Sequence, residues 1–259
     1  MTMHAKSHRA VKTLTIIALV LLYLFAAAGL ACIPAGRAGR RRFLTGNASF
    51  FARRALAVLG IRVMKRSRRR TADTALIVSN HLSSVDILVI ASVRPAVFIT
   101  SVELRNSFPL GLLAFLGGSI FVERRNPSGL RKEIRDIART LAEGTSVVLF
   151  PEGTTFDGRT VRPFKSSLFT AAVDAGTMIQ PCCIRYRRIN GKRIGPENAD
   201  AVYYHGGTTF AAHAPRLLGL RSVHVELITL DAIAPADGRS RKELAELCHE
   251  RILRAYHRT

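Results

Sequence analysis

Acidic residues are scarce in this 259-residue chain: 18 Asp and Glu stand against 39 Lys and Arg, a formal charge of +21, and none precedes Asp73. Cysteine is scarce too. Cys32, Cys182, Cys183 and Cys248 show no C-x-x-C spacing and no His partners at zinc spacing, which argues against a disulfide framework and against structural zinc. The adjacent Cys182 and Cys183 lie in an apolar run and read as inert buried thiols, which suit a reducing compartment. Two motifs are also missing: there is no G-x-S-x-G nucleophile elbow and no Gly-rich phosphate loop.

What is present is apolar. Hydrophobic residues make up 48% of the chain and the mean hydropathy is +0.16. That excludes a disordered polycation or a histone-like tail, and the length accommodates one domain with a real core. The charge is uneven. Residues 1–70 hold 15 of the 39 cations and no acid, so residues 71–259 carry only +6.

Residues 1–70 read as a membrane-anchoring module. Thr13–Ile33 contains no charged residue and is long enough to cross about 30 Å of hydrocarbon as a helix, which predicts an apolar helix over 13–33. A secretory signal peptide is the competing reading, since a basic stretch precedes the run and Gly29-Leu30-Ala31-Cys32 resembles a lipoprotein cleavage box. Against it, Gly29 stands where Leu is expected and the run is long. Over 37–70, large apolar residues from Phe43 to Met64 interleave with arginines. This predicts an interfacial amphipathic helix over about 40–65, with a solvated basic linker as the alternative. Each cation near an anionic leaflet contributes about 1 kcal/mol. Four arginines in 37–42 outweigh Lys6, Arg9 and Lys12, which places the large domain on the cytoplasmic side. A reentrant hairpin satisfies the same charges.

Residues 71–259 alternate between strand-like and helix-like runs. Strands are predicted at 74–79, 96–101, 119–123, 145–150, 178–185 and 223–230, and helices at 84–93, 128–143, 165–174 and 239–256. The alternation indicates an α/β sheet flanked by helices. Residues 190–215 are rich in Gly, Tyr and His and read as an irregular insertion.

Three predicted strand ends carry reactive groups, where function in such sheets tends to lie. The first runs into His81, with Asp86 five residues on. If a helix starts at Ser84, Asp86 in its first turn can reach back to the imidazole, fix its tautomer and leave Nε2 as a general base. Helix capping by Ser83, Ser84 or Asp86 is the plainer reading. The third strand ends in Glu123-Arg124-Arg125, a guanidinium pair that suits a phosphate or carboxylate, or a solvated turn. The fourth ends in Pro151-Glu152-Gly153-Thr154, a tight turn presenting Glu152 beyond the sheet.

Taken in order, His81-x4-Asp86, Gly118–Arg124, Phe150–Thr154 and Ile179–Ile184 resemble the four motif blocks of the glycerolipid acyltransferase family. The resemblance covers about residues 74–186. It implies that family's mixed α/β sheet flanked by helices, and a catalytic His81 oriented by Asp86 that deprotonates an acceptor hydroxyl for direct attack on an acyl thioester. It also implies a phosphate contact at Arg124 and acceptor positioning by Glu152, Gly153 and Thr154. Lys165 either binds an anionic group or is structural. The implied reaction is 1-acylglycerol-3-phosphate O-acylation, giving phosphatidic acid. It needs no cofactor and no metal: the partners are a lysophospholipid, an acyl carrier protein or coenzyme A thioester, and an anionic surface of the inner membrane. Thr155-Phe156 stand where Arg-Ser is frequent, and Lys165-Ser166-Ser167 replace a Lys-x-Gly step. The stretch 153–169 is similar to a branch that includes lyso-ornithine lipid acyltransferases, which is the alternative acceptor. A membrane-tethered nucleic-acid binder is not expected, because the cations flank an apolar helix rather than interleave with stacking aromatics.

Overall fold

The computed structural model describes residues 3–67, 71–123, 127–207, 209–235 and 238–258. Two long helices come first, α1 (Met3–Ala31) and α2 (Arg37–Leu59). The apolar helix therefore starts about ten residues before the expected 13–33. Gly60, at φ +75, ends α2 in a left-handed cap, and the chain then turns into β1 (Ile61–Ser67). This corrects the expected helix over about 40–65. Ile61, Val63 and Met64 do not continue a helical face; their segment pairs with β8 (Val223–Thr229) in parallel, Ile61 opposite Val223.

The sheet is mixed. After β1 come β2 (Leu76–Ser79), α3 (Val85–Val93), β3 (Val97–Ser101), α4 (Val102–Arg105), α5 (Leu110–Leu116), β4 (Ile120–Val122), α6 (Pro127–Ala142) and β5 (Val147–Leu149). Then follow α7 (Thr170–Asp174), β6 (Ile179–Ile189), the short β7 (Lys192–Arg193), α8 (Phe210–Gly219), β8 and α9 (Arg241–His257). Strand order is β1-β8-β6-β2-β5-β3-β4; β6 is antiparallel to β8 and to β7, and the other neighbours are parallel. Residues 190–215, expected to be irregular, contain β7 and the first half of α8.

Alternation along the strands sorts the core into two layers, as the period of two requires. Ile77, Phe98, Val148, Ile184 and Val225 face α2 and α3, whereas Leu76, Val97, Val147 and Cys183 face α6, α7 and α9. Glu226 is buried on β8 and neutralised by Arg66 at 3.1 Å, Arg187 at 3.6 Å and Arg185 at 3.8 Å. These arginines join β1, β8 and β6; Arg66 comes from the cationic N-terminal segment, and its side chain stays largely exposed.

The α2 face that carries Leu44, Ser49, Ala52, Leu56 and Leu59 is buried on the domain. Helix α1 lies along α2. Lys12 Nζ donates to the carbonyls of Leu59 (3.1 Å) and Leu220 (2.7 Å) at two helix ends, where the backbone dipole favours a cation. Tyr23 Oη donates to Leu113 O at 3.0 Å. The opposite side of α1, with Leu14, Leu21, Leu22 and Phe25, is exposed. The segment Ser7–Ala31 is long and apolar enough to cross a membrane.

Candidate active site

Strands β2, β5, β3 and β4 run parallel, so their C-terminal ends share one edge. The chain leaves β2 as Asn80-His81, and Asn80 extends the ladder with its side chain: Nδ2 donates to Ile184 O at 3.0 Å and Oδ1 accepts from Ile184 N at 2.8 Å. That pins the start of the His81 turn to β6. Helix α3 begins four residues later, and Asp86 in its first turn is fully buried.

The Asp86 carboxylate accepts four hydrogen bonds. Oδ2 faces His81 Nδ1 at 3.0 Å and takes the backbone N–H groups of Leu82 at 2.6 Å and Ser83 at 2.9 Å; Oδ1 accepts from Tyr186 Oη at 2.7 Å. Asp86 thus orients the imidazole and ties down the turn ahead of α3 rather than capping the helix; the side-chain bond at the helix start is from Val85 N to Ser83 Oγ at 3.3 Å. With Nδ1 as the donor to Asp86, Nε2 is the nitrogen left with the acceptor lone pair. The imidazole stacks on Phe150, centroids 4.0 Å apart, which fixes its plane, and 16% of the side chain stays open to solvent.

Glu152 is brought to the same place from β5. Its Oε1 accepts from His81 N at 2.8 Å and its Oε2 from Arg162 N at 3.0 Å, so the carboxylate braces the His81 turn against the 151–165 loop. Burial pushes its pKa up to about 7, opposed by those two N–H donors. Gly153 follows at φ +84, a backbone region that L side chains disfavour. Thr154 is exposed. Lys165 is also exposed, and its backbone N–H bonds Pro151 O at 3.0 Å. Arg162 lies over the Phe156 ring at 3.6 Å. Arg124 lies outside the described residues. Among the described residues no His, Cys, Asp and Glu side chains cluster to hold a metal. Cys182 and Cys183 are buried, their thiols pushed up to about 12, too far for thiolate chemistry.

Tyr186 is the site residue that sequence patterns miss. β6 has eleven residues and β2 four, and Ser79 pairs with Cys182, so Tyr186 overhangs the end of β2, where the His81 turn sits. The residue lies two positions after the fourth motif block, but only strand register brings its hydroxyl to Asp86.

A family profile described as Acyltransferase matches residues 60–185. A lyso-ornithine lipid O-acyltransferase of Rhizobium meliloti is 34% identical over 76% of this chain and 70% of its own length. The chain belongs to the acyltransferase family. Within that family, a lyso-ornithine lipid O-acyltransferase of Brucella abortus is 32% identical over 79% of each chain. A 1-acyl-sn-glycerol-3-phosphate acyltransferase of Neisseria gonorrhoeae is 34% identical over 48% of this chain and 49% of its own. The crystal structure of the 1-acyl-sn-glycerophosphate acyltransferase of Thermotoga maritima superposes with a TM-score of 0.65 at 20% identity, over 97% of this acyltransferase and 96% of that chain. The shared fold thus includes the two N-terminal helices.

Proposed function

We propose that this acyltransferase esterifies the free hydroxyl of a lyso-lipid with a fatty acyl group taken from an acyl carrier protein or coenzyme A thioester. The observation that carries the reading is the His81–Asp86 pair, with Asp86 wholly buried and four times hydrogen-bonded. Nε2 of His81 removes the acceptor hydroxyl proton as the oxygen attacks the thioester carbonyl carbon. The tetrahedral intermediate collapses, the C–S bond breaks, and the imidazolium returns its proton to the leaving thiolate. Asp86 stabilises the imidazolium and holds its tautomer. A thioester is already activated, so positioning and a base suffice without an acyl-enzyme, in keeping with the lack of a nucleophile elbow.

Lyso-ornithine lipid is the acceptor we favour. Relatives so named match over 76% and 79% of this chain, whereas the glycerol-phosphate relative from Neisseria matches over 48%. 1-Acylglycerol-3-phosphate is the second reading, supported by Arg124 in the second motif block. The exposed side of α1 and the exposed Arg37, Arg40 and Arg42 of α2 support a place on the cytoplasmic face of the inner membrane. Lys12 bonds the domain from the segment that a signal peptidase would remove, which supports retention of that helix. The test is a matrix of both acceptors against both donors on the membrane fraction, with His81→Ala as control. Transfer to lyso-ornithine lipid that His81→Ala abolishes is the expected result; turnover of lysophosphatidate alone selects the second reading. Near-wild-type turnover by His81→Ala overturns the mechanism. In the second reading, Arg124→Ala raises the KM for lysophosphatidate with kcat little changed.

A further inference from the structure

The 151–165 loop carries two arginines that the reaction above does not use, Arg159 and Arg162. They differ in how their charge is met. Arg159 is paired with Asp157 at 3.3 Å and is 90% exposed. Arg162 has no carboxylate partner among the described residues; its guanidinium lies on the Phe156 ring instead, 3.6 Å from the centroid. Stacking holds the plane of the guanidinium and leaves its N–H edge open. In that geometry arginine takes an oxyanion with two parallel hydrogen bonds.

The backbone beneath this cation is fixed from several sides. Arg162 N donates to Glu152 Oε2 at 3.0 Å, Nε2 of His249 on α9 donates to Val161 O at 3.0 Å, and Tyr256 Oη of the same helix donates to Gly158 O at 2.5 Å. A side chain held on such a backbone loses little further freedom on taking a ligand, so more of the contact appears as affinity. Glu152 also sets where the cation stands. Its other oxygen accepts from His81 N at 2.8 Å, so one carboxylate and two hydrogen bonds separate the backbone of Arg162 from that of His81. Burial raises the Glu152 pKa and the Arg162 charge is among the groups that lower it, which places the guanidinium within electrostatic reach of the site. Both acceptors considered above carry an oxyanion a few bonds from the reacting hydroxyl: a carboxylate in ornithine, a phosphate in lysophosphatidate. With that hydroxyl at His81 Nε2, the oxyanion falls within a side chain's reach of the His81 turn. We infer that Arg162, backed by Phe156, binds the headgroup oxyanion of the acceptor and so registers its hydroxyl on His81. The inference rests on the acyltransfer reading proposed above and names the group that recognises the acceptor.

Arg162→Ala keeps the backbone N–H that Glu152 engages, so it removes the cation without opening the loop. Binding is measured on the full chain in detergent, in a His81→Ala background that does not turn over, by calorimetric titration with lyso-ornithine lipid, its carboxyl methyl ester and lysophosphatidate. Arg162→Ala should weaken binding of lyso-ornithine lipid by about 10–100-fold, the value of hydrogen bonding between charged groups, and leave the methyl ester unchanged. Arg159→Ala should change neither. A loss confined to lysophosphatidate keeps the oxyanion site and assigns it to phosphate. Equal weakening of acid and ester overturns the inference in favour of a structural role, and unchanged binding of every ligand overturns it outright. With His81 intact, the same substitution should raise the KM for lyso-ornithine lipid while kcat changes little. Arg162-dependent binding by a His81-intact protein that is inactive toward every acceptor would leave the oxyanion site standing and the acyltransfer reading failed.

Discussion

Tyr186 Oη donates to Asp86 Oδ1 at 2.7 Å while His81 Nδ1 holds Oδ2 at 3.0 Å. One buried carboxylate is thereby shared between a strand tyrosine and the imidazole. Removing the phenol leaves Oδ1 without its donor, so the remaining charge is balanced more heavily by the imidazolium. Tyr186→Phe should lower kcat/KM by about tenfold, the value of one hydrogen bond to a charged group, and move the acid limb of its pH profile to higher pH. Asp86→Asn should cost about 10²–10⁴-fold. A Tyr186→Phe enzyme with a lower melting temperature and an unmoved limb would reduce Tyr186 to packing.

Glu152 couples the site to pH through stability. Its folded pKa, about 7 by burial, lies above the ordinary 4.5, so the native state takes up a proton between those values that the unfolded chain does not. This contribution is full below pH 4.5 and is lost as pH rises through 7. The unfolding free energy of the wild type minus that of Glu152→Gln should therefore fall by about 2–3 kcal/mol from pH 5 to pH 8. Denaturant titrations at the two pH values read it directly; a constant difference would mean that the carboxylate stays ionised throughout.

Lys12→Met removes the donor to two carbonyls while keeping an unbranched apolar stem. Leu59 O and Leu220 O lose their shared cation, at a cost of about 1–3 kcal/mol. Thermal unfolding in detergent should shift down by roughly 2–4 °C per kcal/mol. An unchanged melt would show that α1 is not docked on the domain along this stretch.

Gly158 and Gly144 both sit at positive φ, +75 and +80. A Cβ on Gly158 would overlap the Tyr203 ring, whereas one on Gly144 meets nothing. Tyr203 packs edge-on against Tyr186, centroids 5.8 Å apart. Alanine at either site should cost about 1–2 kcal/mol of stability for the backbone conformation, but only Gly158→Ala should also lower kcat. Equal kcat in the two variants would uncouple Tyr203 from the site.

The parts of the site that are local in sequence were legible there. The five-residue offset from His81 to Asp86 becomes a contact because a helix starts at Val85, and the turn at Glu152 follows from Pro151 and Gly153. The role of Glu152 was not legible, because its partners, His81 N and Arg162 N, are defined by how the His81 turn and the 151–165 loop converge. Tyr186 depends on a difference in strand length, which apolar periodicity does not report. At Ile61–Ser67 the alternation of Ile61, Val63 and Lys65 with Arg62, Met64 and Arg66 was open to a helical reading, and only pairing with β8 decides it.

Ile61 pairs with Val223, 162 positions later. At about 5–20 residues per second, a ribosome needs roughly ten to thirty seconds to make the partner of a strand that emerged directly after the two long helices. On the membrane reading proposed for α1, the apolar helix is delivered to the lipid well before the sheet has its full set of strands, and the catalytic domain completes its folding while already tethered. Its edge strand waits unpaired in a segment carrying Arg62, Lys65 and Arg66, charges that discourage neighbouring nascent chains from pairing there first.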